Sequence, residues 1–283
     1  PTRTRLIFGI TIMPNTPQTF VLDWNGRSAE VRLDRATDCS LRFTDAPWGG
    51  RAWYVGPVVR TPVRWDEWVG SVELGGNVNF TDLALNPHGQ GTHTECLGHV
   101  TRERVDLSVA EQPGWVLMLL ATVEPLQQTN GDQTVEASAL LAALEAAGGL
   151  HWADQKPAVA LRTGAADREA RLQRQHSRAN SPYWTPEAME ALVQTGVDWL
   201  LVEEPSVDRE EDEGALAAHR VFWGLEPGET EVERAQRPQA LLTELAFFPG
   251  HCPDGWYALN LQLAPLANDA VPSRPVIYPL EWR

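Results

Sequence analysis

The sequence predicts a single domain of α+β class over residues 1–283, and three observations carry that expectation. The first third is rich in β-branched and aromatic residues broken by turn signals, as in a run of short strands. Trp115 to Val123 is a continuous apolar stretch, the pattern of a strand covered on both faces. Apolar residues at helical spacing, with recognisable starts and stops, appear only in the second half.

In chain order, Phe20 to Trp24 and Ser28 to Leu33 flank Asn25-Gly26, the pair that supplies the two positive-φ residues of a tight hairpin. Strand-like runs follow at Ala52 to Val59 and at Trp68 to Leu74, the latter closed by Gly75-Gly76. Ala158 to Arg162 reads as another strand. Val135 to Ala147 has helical spacing and stops at Gly148-Gly149, while Thr185-Pro186-Glu187 offers an N-cap, a first-turn proline and an acid for a helix ending at Gly196. A third helix is expected from about Glu213 to Trp223, with the acidic run Glu210 to Glu213 as its solvated start. Strand-like sequence returns at Gly255 to Leu263, and no internal repeat or low-complexity linker divides the chain.

With 43% apolar and 22% charged residues the chain can bury a sizeable core, which excludes disorder. Its 23 Lys+Arg against 38 Asp+Glu give a net charge of -15, so the field that draws in phosphate backbones is missing and nucleic acid is excluded as a partner. No apolar run approaches the roughly 20 residues of a bilayer span, and the N-terminus lacks a signal-peptide pattern, so a cytoplasmic protein is expected, without a membrane partner. Cys39, Cys96 and Cys252 are odd in number and widely spaced, as reduced thiols are, and no CxxC pair supports a thiolate zinc site. Lys156 is the only lysine, which leaves Schiff-base and P-loop chemistry resting on one residue.

Three of the seven histidines, His88, His93 and His99, fall in the segment NPHGQGTHTECLGH together with Glu95. Imidazole and carboxylate suit a borderline divalent ion such as zinc, manganese or iron. A separation of two lets His93 and Glu95 point the same way from an extended segment. Gly89 and Gly91 allow the turn that would bring His88 to join them, and His99 shares a face with Glu95 if a helix begins near Thr94. His151, His176 and His251, taken singly, read as hydrogen-bonded structural residues. The pattern is not HExxH, so metalloprotease chemistry of that kind is not supported.

NPHGQGTHTECLGH resembles the signature H-x-G-[TA]-H-x-D-x-x-x-H of the bacterial cyclase-like metal-dependent hydrolases, the family of kynurenine formamidase and isatin hydrolase. Asp38-Cys39-Ser40, Val159 to Gly164, Pro205-Ser206-Val207-Asp208 with Ala218-His219-Arg220, Glu244-Leu245, Pro253 to Tyr257, Ala264-Pro265 and Pro272 to Pro275 resemble further blocks of that family. The resemblance implies a β-rich swivelling β/β/α-type core with flanking helices and a homo-oligomer. It also implies His88, His93 and Glu95 as ligands of a first zinc or manganese ion, His219 and Glu244 at a second, and His99 as acid/base. Two departures stand out: His88 lies five residues before His93 where the family has four, placing Gly89 at the expected ligand position, and Glu95 replaces an aspartate. Residues 226–237 read as an insertion, whose Glu231 and Glu233 compete with Glu244 for its role.

The function so implied is hydrolysis of a small amide, lactam or ester through a metal-bound hydroxide, with an imidazole, which titrates near neutrality, protonating the leaving group. The partner is then a small molecule, and the tryptophans just before the metal loop, Trp48 and Trp53 foremost, with Trp65 and Trp68, could wall its pocket. Two other readings stay open. His93-x-Glu95 with His219 also fits the two-His-one-carboxylate triad of non-haem iron oxygenases. The shifted His88 and the Glu for Asp also fit a relative that binds a metal or ligand without turnover.

Overall fold

The computed structural model describes residues 18–24, 27–107, 114–149, 157–163, 170 and 173–283. Ten strands form the main sheet: β1 (Thr19–Trp24), β2 (Arg27–Arg32), β3 (Thr37–Asp38), β4 (His93–Glu95), β5 (Val116–Val123), β6 (Ala158–Thr163), β7 (Trp199–Val202), β8 (Leu241–Glu244), β9 (Gly255–Leu263) and β10 (Ala270–Trp282). Seven of them close on themselves in the order β10-β9-β5-β6-β7-β8-β4, because β4 pairs antiparallel with both β8 and β10. The hairpin β1-β2 extends the sheet from β10 and β3 also pairs with β10.

β5, β6, β7 and β8 are parallel neighbours in chain order, so each connection has to cross over, and a helix makes each crossing. These are α1 (Ala137–Ala146), α2 (Pro186–Gln194) and α3 (Ala217–Trp223). α1 turns Leu140 and Leu144, one helical turn apart, onto the sheet. Burying a leucine contributes about 1.5–3 kcal/mol. Thr185 caps α2 by accepting from Ala188 N at 3.2 Å, as its sequence pattern predicts. Strand alternation splits the apolar residues in two. Leu119, Ala121, Leu161, Leu200 and Leu242 pack under the helices, while Met118, Leu120, Ala160, Leu201 and Leu259 make the core on the opposite face of the strands. The expected α+β class and its β-rich core with flanking helices are what the structure shows. Among the described residues no helix is long and apolar enough to cross a membrane.

Several expected elements change. Within Ala52 to Val59 only Val59 is in a strand, because Trp53 and Tyr54 take φ of 56° and 58° and Ala52 N donates to Gly89 O at 2.9 Å, turning the segment onto the metal loop. From Trp68 to Leu74 only Trp68–Val69 is strand, and the rest closes in turns onto Ser71, which accepts from Gly76 N at 2.8 Å. The third helix starts at Ala217, after Leu216 at φ 47°; the acidic run 210–213 precedes it in bends and turns, and Gly224 at φ 69° ends it. Asn25-Gly26 and His151 lie outside the described residues.

Candidate metal centre

Asn86-Pro87-His88-Gly89 folds as a short 3-10 turn, with Pro87 in the first position and Asn86 Oδ1 accepting from Gly89 N at 3.1 Å, which fixes where His88 emerges. A side chain at Gly89 would have to displace its neighbours: a Cβ there would stand 2.7 Å from Val55 Cγ2 and 3.2 Å from Ala52 O. β4 follows, and its alternation sends His93 and Glu95 to one face, both fully buried. Thr94 faces the other way, with Oγ1 2.7 Å from Thr243 Oγ1. Register does the rest. Glu244 on β8 lies across from His93, on the side of its strand that Leu242 turns toward the helices. A second 3-10 turn, Leu97–His99, carries His99, so the expected sharing of a face between Glu95 and His99 is met by a tight turn and not by an α-helix.

His219 enters from the first turn of α3. Asp208 holds both the helix and the ring: its Oδ1 accepts from Ala218 N at 2.7 Å, and its Oδ2 accepts from His219 N at 3.1 Å and lies 2.5 Å from His219 Nδ1. That leaves His219 Nε2 aimed inward, 2.9 Å from Glu95 Oε1 and 3.5 Å from Glu244 Oε1. His93 is tied in the same sense, its Nδ1 donating to Gly91 O at 3.0 Å, and its Nε2 stands 3.5 Å from Glu244 Oε2. His88 Nδ1 is 3.0 Å from Glu95 Oε2, and His99 Nδ1 is 3.6 Å from the same oxygen.

The fold therefore brings His88, His93, Glu95, His99, His219 and Glu244 to one place. Two groups of ligand-type atoms share Glu95: His93, Glu95 and Glu244, all buried, and His88, Glu95 and His99 nearer the surface. His93 Nε2 and Glu95 Oε2 are buried without a hydrogen-bond partner, a costly arrangement unless something electrophilic sits between them. Mixed imidazole and carboxylate donors with this orphaned pair fit a borderline divalent ion. Glu231 and Glu233 group instead with Glu103, away from the histidines.

Among the protein groups alone, the electrostatics are those of interleaved opposite charges. Burial works against the His219 imidazolium, but Asp208, Glu244 and Glu95 outweigh it and hold the group well above the histidine range. Burial also pulls His88 down, and Asp269 and Glu95 outweigh it, raising it to about 10. Buried Glu95 would be pushed up by desolvation, yet His99, His219 and His88 bring it well below the carboxylate range.

Two contributors carry no assignment from sequence. Asp208 sits in the Pro-Ser-x-Asp block, whose spacing to His219 is the available signal. Asp269, with Oδ2 3.1 Å from His88 Nε2 and 3.6 Å from His99 Nδ1, has no motif around it. Trp53 lines the cavity over the cluster, together with His88, His99, His219 and Glu244. Trp48 does not line it and is 57% exposed. His176 is a buried structural residue, its Nδ1 3.2 Å from Ser181 Oγ, and His251 is exposed.

The Cyclase family model matches residues 15–209, which holds the metal loop and the Asp208 block. The chain belongs to the Cyclase family. Three solved structures illustrate the likeness. An isatin hydrolase bound to the product analogue thioisatinate is 13% identical, with 87% of this chain and 93% of that one covered at TM-score 0.58. Isatin hydrolase A from Labrenzia aggregata, bound to benzyl benzoate, is 14% identical over 86% and 93% at 0.56. A predicted metal-dependent hydrolase from Bacillus stearothermophilus is 11% identical over 86% and 98% at 0.53. At these identities what is shared is the cyclase fold. No curated protein matches the sequence.

Proposed function

We propose that this cyclase-family chain is a metal-dependent hydrolase of small amides, lactams or esters, with His88, His93, Glu95, His219 and Glu244 holding one or two zinc or manganese ions. The observation that carries the reading is the orphaned pair His93 Nε2 and Glu95 Oε2, buried within a ring of imidazoles and carboxylates. A bound divalent ion would supply Lewis acidity toward a carbonyl and lower the pKa of a water to about 7.

The chain's own residues do the rest. With an ion bound, Asp208 and the Gly91 carbonyl would hold His219 and His93 by Nδ1 and leave Nε2 free to coordinate. His99 borders the cavity with Nδ1 between Glu95 and Asp269, which leaves its Nε2 to pass a proton to a leaving nitrogen or oxygen. The cavity holds about 270 Å³, with Trp53 and Leu216 as apolar wall and Ser206, Arg209, Glu210 and Asp212 as polar lip. That volume suits a small molecule and not a folded peptide. The lip carries two carboxylates against one arginine, which favours a neutral or cationic substrate.

An oxygenase triad of His93, Glu95 and His219 would give Glu244 no role, although its Oε2 and Oε1 lie within 3.5 Å of both imidazoles, and this supports the hydrolase. Exposed Trp65, Leu83 and Phe80 on the excursion between β3 and β4 support a homo-oligomer, which light scattering on the eluted protein would test. The function is tested by stripping the protein with chelator, restoring manganese or zinc, and assaying formylkynurenine, isatin, arylformamides and lactones beside phosphoesters and oxygen uptake. Metal-dependent carbonyl hydrolysis is expected. Phosphoester cleavage or oxygen uptake, with silence on every carbonyl substrate, would overturn the proposal.

A further inference from the structure

Every histidine that approaches Glu95 or Glu244 from the buried side is held by the nitrogen it does not offer: His93 through Nδ1 to Gly91 O, and His219 through Nδ1 to Asp208. His88 is held the other way round. Its Nε2 meets Asp269 Oδ2 at 3.1 Å, and its Nδ1 faces Glu95 Oε2 at 3.0 Å. The two ligand-type atoms face each other within the group His88, Glu95 and His99, while Nε2 is turned to Asp269.

From this geometry we propose that His88 serves the metal centre through Nδ1, and that Asp269 is the positioning residue that makes this possible by accepting the hydrogen bond from Nε2–H. The inference rests on the metal-centre reading above. It also accounts for the one-residue shift of His88. An imidazole at position 89 would force its neighbours to shift, because a Cβ there stands 2.7 Å from Val55 Cγ2 and 3.2 Å from Ala52 O. The histidine stands instead at position 88, at the middle of the 3-10 turn, and from there the ring meets Glu95 with Nδ1. A ring used in that orientation needs an acceptor on its far side. Asp269 is that acceptor, and its place is set by strand register: it precedes Ala270, which pairs with Glu95, and its carbonyl accepts from Cys96 N at 3.0 Å. Carboxylates in this role fix the tautomer and the ring plane, and their loss commonly lowers metal affinity 10–100-fold.

The test uses chelator-stripped full-length protein titrated with zinc against a chromophoric chelator. Asp269→Ala is expected to weaken zinc binding about 10–100-fold. Asp269→Asn, whose amide oxygen still accepts from Nε2–H, is expected to keep most of the affinity, as a merely electrostatic role would not predict. Nitrogen-15 imidazole spectra of the zinc-loaded wild type should show His88 as the Nε2–H tautomer and His93 and His219 as Nδ1–H. Wild-type affinity in both Asp269→Ala and His88→Ala, or His88 as the Nδ1–H tautomer, would overturn the inference while leaving the metal centre standing. A wild-type protein that takes up no zinc would overturn the metal centre and this inference with it. The wild-type spectra keep the test open to failure even if Asp269→Ala does not fold.

Discussion

His93 and Glu244 face each other across the β4-β8 pair, with Nε2 3.5 Å from Oε2, although neither strand would carry a site alone. Backbone register, and not a flexible loop, sets the distance between these two groups. The buried half of the centre is therefore built on paired strands, and His88 and His99 arrive on turns.

Wild-type protein purified without chelator is expected to hold stoichiometric divalent metal, and a His93→Ala, Glu95→Ala double variant to lose it. Elemental analysis of both preparations checks this. Equal metal in the two would remove these residues from the principal ligands.

For His99→Ala the expected outcome is retained metal with turnover reduced about 10²- to 10⁴-fold, the usual worth of a positioned proton donor. Steady-state rates and metal content on one preparation separate the cases, since metal loss would make His99 a ligand.

Chelator-stripped protein should be most stable at mildly acid pH. Glu95, Asp208 and Asp269 are held low, so their stabilisation is complete above the unfolded carboxylate pKa of about 4 and is lost as pH falls through the folded values. His219 and His88 are held high, the latter at about 10, so theirs is complete below the unfolded value of about 6.5 and is lost as pH rises through the folded ones. Both sets are present between about pH 4.5 and 6.5. Thermal melts from pH 4 to 9 in chelator should peak there, and a midpoint climbing steadily from pH 6 to 9 would contradict the assignment.

Restoring the family spacing should fail. In a His88→Gly, Gly89→His variant the new side chain meets Val55 Cγ2 at 2.7 Å, so overpacking of about 1–3 kcal/mol is expected together with weaker metal binding. Urea midpoints and zinc titration would show it, and wild-type behaviour on both would mean that the turn can repack.

Local features were legible in the sequence wherever one short stretch decides its own structure. Trp115 to Val123 is apolar enough to declare a strand, and Thr185-Pro186 and Gly196 mark the two ends of α2 by their own chemistry. β10 is hidden by Pro272, Pro275 and Pro279; it pairs nonetheless, and the carbonyls of Pro272 and Pro275 accept from Ala264 N and Cys39 N. β7 and β8 are four residues each, too short to show a period. At the site, the clustering of His88, His93, Glu95 and His99 is visible because it is local. Asp269 is not, because its meaning depends on a histidine 181 residues away. The tryptophans divide for a similar reason: Trp53 turns toward the cavity at a left-handed φ, and nothing in the sequence separates it from Trp48.

The double pairing of β4 also bears on how the molecule comes into being. Thr94 and Thr243 touch across 149 residues of chain, and His88 and Asp269 across 181. Closing such loops carries an entropic cost that grows slowly with length, and pairing of this separation slows folding. During synthesis the histidines of the metal loop emerge long before the strands that pin them. The barrel, and with it an ordered place for a cation, is completed only when residues 270–272 are free to pair, so ion uptake reports on the end of folding and not on its beginning.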